Sequence, residues 1–200
     1  MKNLVLFFSG RGSNMRAILE AVHGGRLEGI AKVPFVLTNK PDAGGIAVAE
    51  EFGIETRVIP SKGVPRDEYD QRVLRSISDT PIDVIALAGY MRILSAAFIS
   101  AYRGRIVNVH PADTAAHQGT GGYAWAFEQK LPETWITVHV VDEGLDTGPV
   151  LRKARVDLSG ATTLAEVEAR GLAVEHRVYS EALRDFLESG NRGIEACAAS

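Results

Sequence analysis

The chain has 200 residues, 46% hydrophobic and 24% charged, which is ordinary globular usage and excludes a disordered chain without the apolar surface to offset its own entropy. Lys and Arg number 22 against 25 Asp and Glu, a net charge of −3, so there is no global basic field to hold nucleic acid through its phosphates. No apolar run approaches the roughly 18 residues of a membrane helix, and the one cysteine, Cys197, forms no internal disulfide, which fits a reducing, cytoplasmic setting.

Residues 4–8, Leu-Val-Leu-Phe-Phe, read as a strand buried on both faces; the stretch is too short for a signal peptide and Ser9-Gly10-Arg11-Gly12 interrupts it. Residues 14–24 read as a helix with Met15, Ile18, Leu19 and Val22 on one stripe. Residues 33–37 form a second strand, 45–52 a short helix closed by Gly53, and 56–59 a third strand. A charged amphipathic helix follows over 66–77, behind Pro65, then strands over 83–87 and 106–109. Strand and helix in alternation predict right-handed βαβ units: an α/β, doubly wound, mostly parallel twisted sheet of Rossmann-like type. Residues 111–122 read as a loop and 124–130 as a short helix. Residues 135–141 and 150–156 predict an antiparallel addition to the sheet. Thr163-Leu164-Ala165-Glu166 is a capping box that opens a long C-terminal helix to about residue 187. One domain is expected over 1–190, with a loose tail over 191–200. The last four residues, Cys197-Ala198-Ala199-Ser200, match the prenylation pattern C-a-a-X but follow no polybasic stretch, and read as a frayed tail.

Ligands of doubly wound sheets sit beyond the carboxyl ends of the strands, where strand order reverses. Three segments fall there. Ser9-Gly10-Arg11-Gly12-Ser13-Asn14 joins a strand to a helix N-terminus, a place for a phosphate or simply a tight turn; it is neither a Walker loop nor a full dinucleotide fingerprint, since Met15 holds the third glycine's position. Asn108-Val109-His110 closes a strand and puts an amide and an imidazole on one side, able to serve an oxyanion and a proton transfer, or to be a satisfied structural histidine. Asp142, Glu143 and Asp146 lie in a Gly-containing loop, and a carboxylate beside His110 would orient the ring and raise its pKa. Five histidines and one cysteine show no metal-ligand spacing, so no metal is expected, and no G-x-S-x-G elbow is present.

Taken together these segments resemble the folate-dependent formyltransferases, and within them the glycinamide ribonucleotide enzymes of purine synthesis. The resemblance runs from about residue 3 to 188 and is carried by the Gly-Ser-Asn loop, Thr38-Asn39-Lys40, Ala88-Gly89-Tyr90-Met91-Arg92-Ile93-Leu94, Asn108-Val109-His110-Pro111, and residues 138–149 ending in Asp146-Thr147-Gly148-Pro149. It implies transfer of the formyl group of 10-formyltetrahydrofolate, as co-substrate, to a primary amine. Gly12, Ser13 and Asn14 would bind the acceptor's phosphate, and Glu175 would contact the acceptor. Arg66, Met91, Arg92, Ile93 and Leu94 would meet the folate, with Glu143, Gly144 and Leu145 opposite. Asn108, His110 and Asp146 would be catalytic, His110 acting as an imidazolium kept protonated by Asp146. The implied partners are small molecules rather than nucleic acid or membrane, and the chain would be a monomer or homodimer.

One stretch departs from the family pattern. After Asn-x-His-Pro the family continues Ser-Leu-Leu-Pro and a later G-x-H; here residues 112–115 are Ala-Asp-Thr-Ala and Gly121 stands at the second histidine. The loop gains Asp113 and His117 in exchange. That leaves open a paralogue acting on another amine, such as an amino sugar nucleotide, or a formyl-folate hydrolase. A folate- or nucleotide-binding protein without catalysis would have no need of Asn108, His110 and Asp146 together.

Overall fold

The computed structural model describes residues 1–190. The tail expected over 191–200, with Cys197 and its C-a-a-X quartet, lies outside the described residues. In chain order the elements are β1 (Lys2–Phe8), α1 (Ser13–Val22), β2 (Ala31–Lys32), β3 (Val36–Thr38), α2 (Gly45–Glu51), β4 (Thr56–Val58), α3 (Arg66–Ile77), β5 (Val84–Leu87), α4 (Ala96–Ala101), β6 (Ile106–His110), α5 (Gly122–Glu128), β7 (Glu133–Val140), β8 (Val150–Asp157) and α6 (Leu164–Glu188).

The strands form an eight-stranded sheet in the order β4-β3-β1-β5-β6-β7-β8, with β2 paired beside β1. The pairings β1–β2, β1–β3, β1–β5, β3–β4 and β5–β6 are parallel. The pairings β6–β7 and β7–β8 are antiparallel, so the expected antiparallel addition is present. From β1 the chain first builds outward through β3 and β4, then crosses to β5 on the other side. Strand order therefore reverses at β1 and β5, the place where a crevice opens past the strand ends.

β1 shows why the sheet is buried on both faces. Leu4, Leu6 and Phe8 enter one core with Met15, Ile18 and Leu19 of α1 and Tyr179, Leu183 and Phe186 of α6. Val5 and Phe7 point the other way, to Tyr69, Val73 and Ile77 of α3 and Phe98 of α4. All five are fully buried, which at roughly 1.5–3 kcal/mol per large apolar side chain makes this strand a main anchor of both layers. Tyr179 ties α6 to the sheet: its buried hydroxyl reaches the carbonyls of Leu87 and Val107 at 3.2 and 2.9 Å.

Two expectations are corrected. The strand expected over 33–37 is two strands, Ala31–Lys32 and Val36–Thr38, both paired with β1. Pro34 lies between them and has no N–H to give to the ladder. The helix α4 was not expected at all; Ser95 caps it, its side chain accepting from the Phe98 N–H. The expected capping box of α6 reaches one residue further: Thr163 accepts from the Glu166 N–H at 3.2 Å, and the Glu166 carboxylate accepts from the Thr162 N–H at 2.7 Å.

Candidate active site

Asn108 and His110 alternate along β6 onto one side, and the antiparallel partner β7 puts His139 directly across from Asn108. The β7–β8 connection then brings Asp146 back over them. Local turn chemistry aims it: the Asp142 carboxylate accepts from the Gly144 N–H at 3.0 Å and the Thr147 hydroxyl at 2.7 Å. Asp146 itself sits in the left-handed region at φ 55°, a conformation aspartate tolerates better than most residues.

The resulting cluster is tight and nearly dry, with His110 3% and His139 1% exposed. His110 Nδ1 lies 3.5 Å from Asp146 Oδ2, and His139 Nε2 lies 3.4 Å from Asp146 Oδ1. Asn108 Nδ2 is 3.5 Å from the same Oδ1 and 3.3 Å from His139 Nε2. The backbone N–H of Gly119 donates to Asp146 Oδ2 at 2.8 Å. His110 Nε2 is 2.8 Å from the carbonyl oxygen of His117, which can only accept, so Nε2 carries a hydrogen.

Burial on its own would raise the Asp146 carboxyl. Hydrogen bonds from His139 and Gly119 and the nearby imidazoles outweigh it, so its pKa is lowered and it is ionised. For His110 burial wins: it lowers the imidazole pKa, against the opposing pull of Asp146 and the His117 carbonyl. This corrects the expectation that Asp146 keeps His110 protonated. Near neutral pH the ring is neutral, yet both its nitrogens face acceptors, so a proton added at Nδ1 faces Asp146 while the Nε2–H stays on the His117 carbonyl.

These side chains form the inner end of a cleft of about 400 Å³, a size suited to a small-molecule ligand. Met91, Arg92, Ile93 and Leu94, in the segment after β5, make one wall, and Glu143, Gly144 and Leu145 make the other. Met91, Ile93 and Leu145 leave 64%, 63% and 50% of their surface exposed around its mouth. Arg66 is not in the cleft: it sits at the start of α3, paired with Asp67 at 3.6 Å. Arg92 lines the cleft instead, its guanidinium over the Tyr69 ring at 4.3 Å and bonded to the Val64 carbonyl at 3.1 Å. Gly12, Ser13 and Asn14 open α1 apart from this cleft, and Asn14 Nδ2 donates to Glu175 on α6.

The formyl transferase family model matches residues 2–183. The chain belongs to the formyl transferase family. Phosphoribosylglycinamide formyltransferase of Bacillus subtilis (strain 168) is 32% identical over 197 residues, 98% of this chain and 100% of its own. The enzyme of the same name from Escherichia coli (strain K12) is 36% identical over 178 residues, 88% of this chain and 83% of its own. The crystal structure of glycinamide ribonucleotide transformylase 1 from Geobacillus kaustophilus matches with a TM-score of 0.88 at 37% identity, covering 94% of this chain and 99% of that one.

Within this formyl transferase the departing loop has its own supports. Ala112 is fully buried, and its carbonyl accepts from the Thr137 hydroxyl at 2.7 Å. Asp113 pairs with Lys153 of β8 at 2.5 Å and accepts from the Ala115 N–H at 3.0 Å. His117 stacks on Trp125 at 4.9 Å between ring centres. Gly121 takes φ 82° at the start of α5, a backbone that a histidine there would strain. The phosphate-type loop has a similar constraint. Gly12 has φ +81°, and a Cβ on it would come within 2.8 Å of the Gly45 Cα. Gly12→Ala is expected to destabilise the fold by about 2–3 kcal/mol, a fall of roughly 4–12 °C in Tm by scanning calorimetry; an unchanged Tm would refute the close packing of this loop on α2.

Proposed function

We propose that this chain transfers the formyl group of 10-formyltetrahydrofolate to the primary amine of glycinamide ribonucleotide. The observation that carries this is the convergence of Asn108, His110 and ionised Asp146 at the end of a cleft whose walls are mostly apolar. It is supported by the relatives named phosphoribosylglycinamide formyltransferase, matched over 100% and 83% of their length. The folate's planar rings would lie between residues 91–94 and 143–145 and cover Met91, Ile93 and Leu145. The acceptor's phosphate would sit at the N-terminus of α1, where first-turn N–H groups lack intrahelical partners.

The neutral amine attacks the formyl carbon and an oxyanion develops. The Asn108 amide donates to that oxygen. Neutral His110 takes the proton from the attacking nitrogen at Nδ1, since Nε2 already donates to the His117 carbonyl, and the imidazolium so formed, beside Asp146, stabilises the oxyanion through its charge. The same proton then passes to the departing folate nitrogen, so none is gained or lost overall. This sequence needs no covalent enzyme intermediate.

A formyl-transfer assay with 10-formyltetrahydrofolate tests this, offering glycinamide ribonucleotide beside a panel of other amines and water. Turnover of the ribonucleotide is expected at kcat/KM of about 10⁴ M⁻¹s⁻¹ or more. Transfer only to another amine or to water would overturn the acceptor assignment and make residues 112–121 the specificity determinant.

A further inference from the structure

Three helices meet at Glu175. The carboxyl lies on α6 and is only 5% exposed. Asn14 Nδ2, from the first turn of α1, donates to one of its oxygens, and the Tyr123 hydroxyl, from the start of α5, donates to the other. Burial raises the Glu175 pKa and these two donors oppose it. Both oxygens are thus held from the protein side, and a carboxyl so fixed cannot rotate freely to suit different ligands.

Gly171 lies one helical turn before Glu175 and makes this arrangement possible. A Cβ there would come within 2.1 Å of a Tyr123 ring carbon and 2.7 Å of its hydroxyl oxygen. Glycine inside a long helix costs about 1 kcal/mol relative to alanine; here it opens the slot that lets the Tyr123 ring cross α6. A second feature is an unsatisfied acceptor in the same cluster. Asn14 is 7% exposed, and its Oδ1 is buried with no hydrogen-bond partner. An oriented buried acceptor left open is costly and suits a donor arriving on a ligand. The cluster also bridges the two parts of the site: Asn14 follows Ser13 of the phosphate-type loop, and Tyr123 stands two residues after Gly121, which lines the cleft.

We infer that Tyr123 is a positioning residue for the acceptor: it locks Glu175 so that this carboxyl and the open amide oxygen of Asn14 read N–H or O–H donors on the phosphorylated amine. This rests on the acceptor assignment above. The acceptor then meets a rigid pair of oxygens held by three helices, and specificity depends on Tyr123, the second residue of the helix that follows the departing loop. Tyr123 touches neither the formyl group nor His110, so its removal acts on acceptor binding and spares the chemical step.

Steady-state kinetics of wild type, Tyr123→Phe, Glu175→Gln and the double variant, with glycinamide ribonucleotide and 10-formyltetrahydrofolate varied in turn, test this. Tyr123→Phe is expected to raise the acceptor KM about tenfold, in line with loss of one buried hydrogen bond. The folate KM and kcat should move by less than about threefold. If Tyr123 acts through Glu175, adding Tyr123→Phe to Glu175→Gln should change the acceptor KM by less than about twofold further. An unmoved acceptor KM in Tyr123→Phe, or effects that multiply in the double variant, overturn the inference; so does a lowered Tm with both KM values and kcat worsened alike, the mark of a merely structural brace. Wild-type enzyme that does not use the ribonucleotide at all would sink the acceptor assignment instead, and that is read before any variant is compared.

Discussion

Replacing His110 with alanine is expected to lower kcat by about two to four orders of magnitude, with both KM values changed little. The imidazole is 3% exposed at the end of β6, its Nε2 on the His117 carbonyl and its Nδ1 toward Asp146. In the proposed chemistry it is the one group that can hold the amine proton between attack and departure, and its cation faces the oxyanion as that charge develops. Asn108 remains after the substitution, so a residual rate above background is expected from its amide and from binding alone. Alanine also leaves the His117 carbonyl without a donor, which invites a structural explanation for lost activity. His110→Gln answers it: its Nε2 amide can take the place of the ring Nε2 and still donate to that carbonyl, but it takes no proton near neutral pH. Both variants should lose kcat alike while near-ultraviolet circular dichroism stays as in wild type. Turnover preserved in either would remove His110 from the proton path.

The parts of this molecule that could be read from sequence are those fixed by neighbours along the chain. Five apolar residues over 4–8 followed by a glycine-rich turn can only be a buried strand feeding a loop, and the same local logic located the antiparallel addition and the long last helix. Asn108 and His110 were legible because the period of a strand puts them on one side. Pro34 was the available signal that the strand over 33–37 breaks, and Ser95 the signal for α4; neither stands out against the apolar runs around it. His139 was visible only as part of a motif. Its place opposite Asn108 depends on the register of β6 against β7, which no local pattern specifies. The charge state of His110 could not be read either, because it is a balance between burial and Asp146 and burial is a property of the folded chain. The cluster at Glu175 is the extreme case: Asn14 reaches it across 161 residues of sequence and Tyr123 across 52.

Asp146→Asn is the second large effect, expected to lower kcat/KM by about two to three orders of magnitude and to move the pH profile in a set direction. Asparagine suits the site sterically: it has the size of aspartate and is enriched at positive φ, so the backbone at φ 55° need not change. What disappears is the charge. Asp146 is among the influences that raise the His110 pKa against burial, so removing it lets burial act with less opposition and the pKa falls further. A base must be neutral to accept a proton, and the acidic limb of kcat/KM follows that pKa. In wild type the limb should lie below the ordinary histidine range. In Asp146→Asn it should shift to still lower pH while the plateau drops, because the imidazolium formed during the reaction has lost its counter-charge. The two changes oppose each other in acid: the variant keeps more of its reduced rate there than wild type keeps of its own. A limb that stays in place, or moves to higher pH, would show that Asp146 does not act through His110. His139→Ala separates the remaining possibility, since His139 shares the Asp146 carboxylate at 3.4 Å. It too should lower the plateau, but it leaves the Asp146 charge facing His110, so the downward shift of the limb belongs to the Asp146 variant alone.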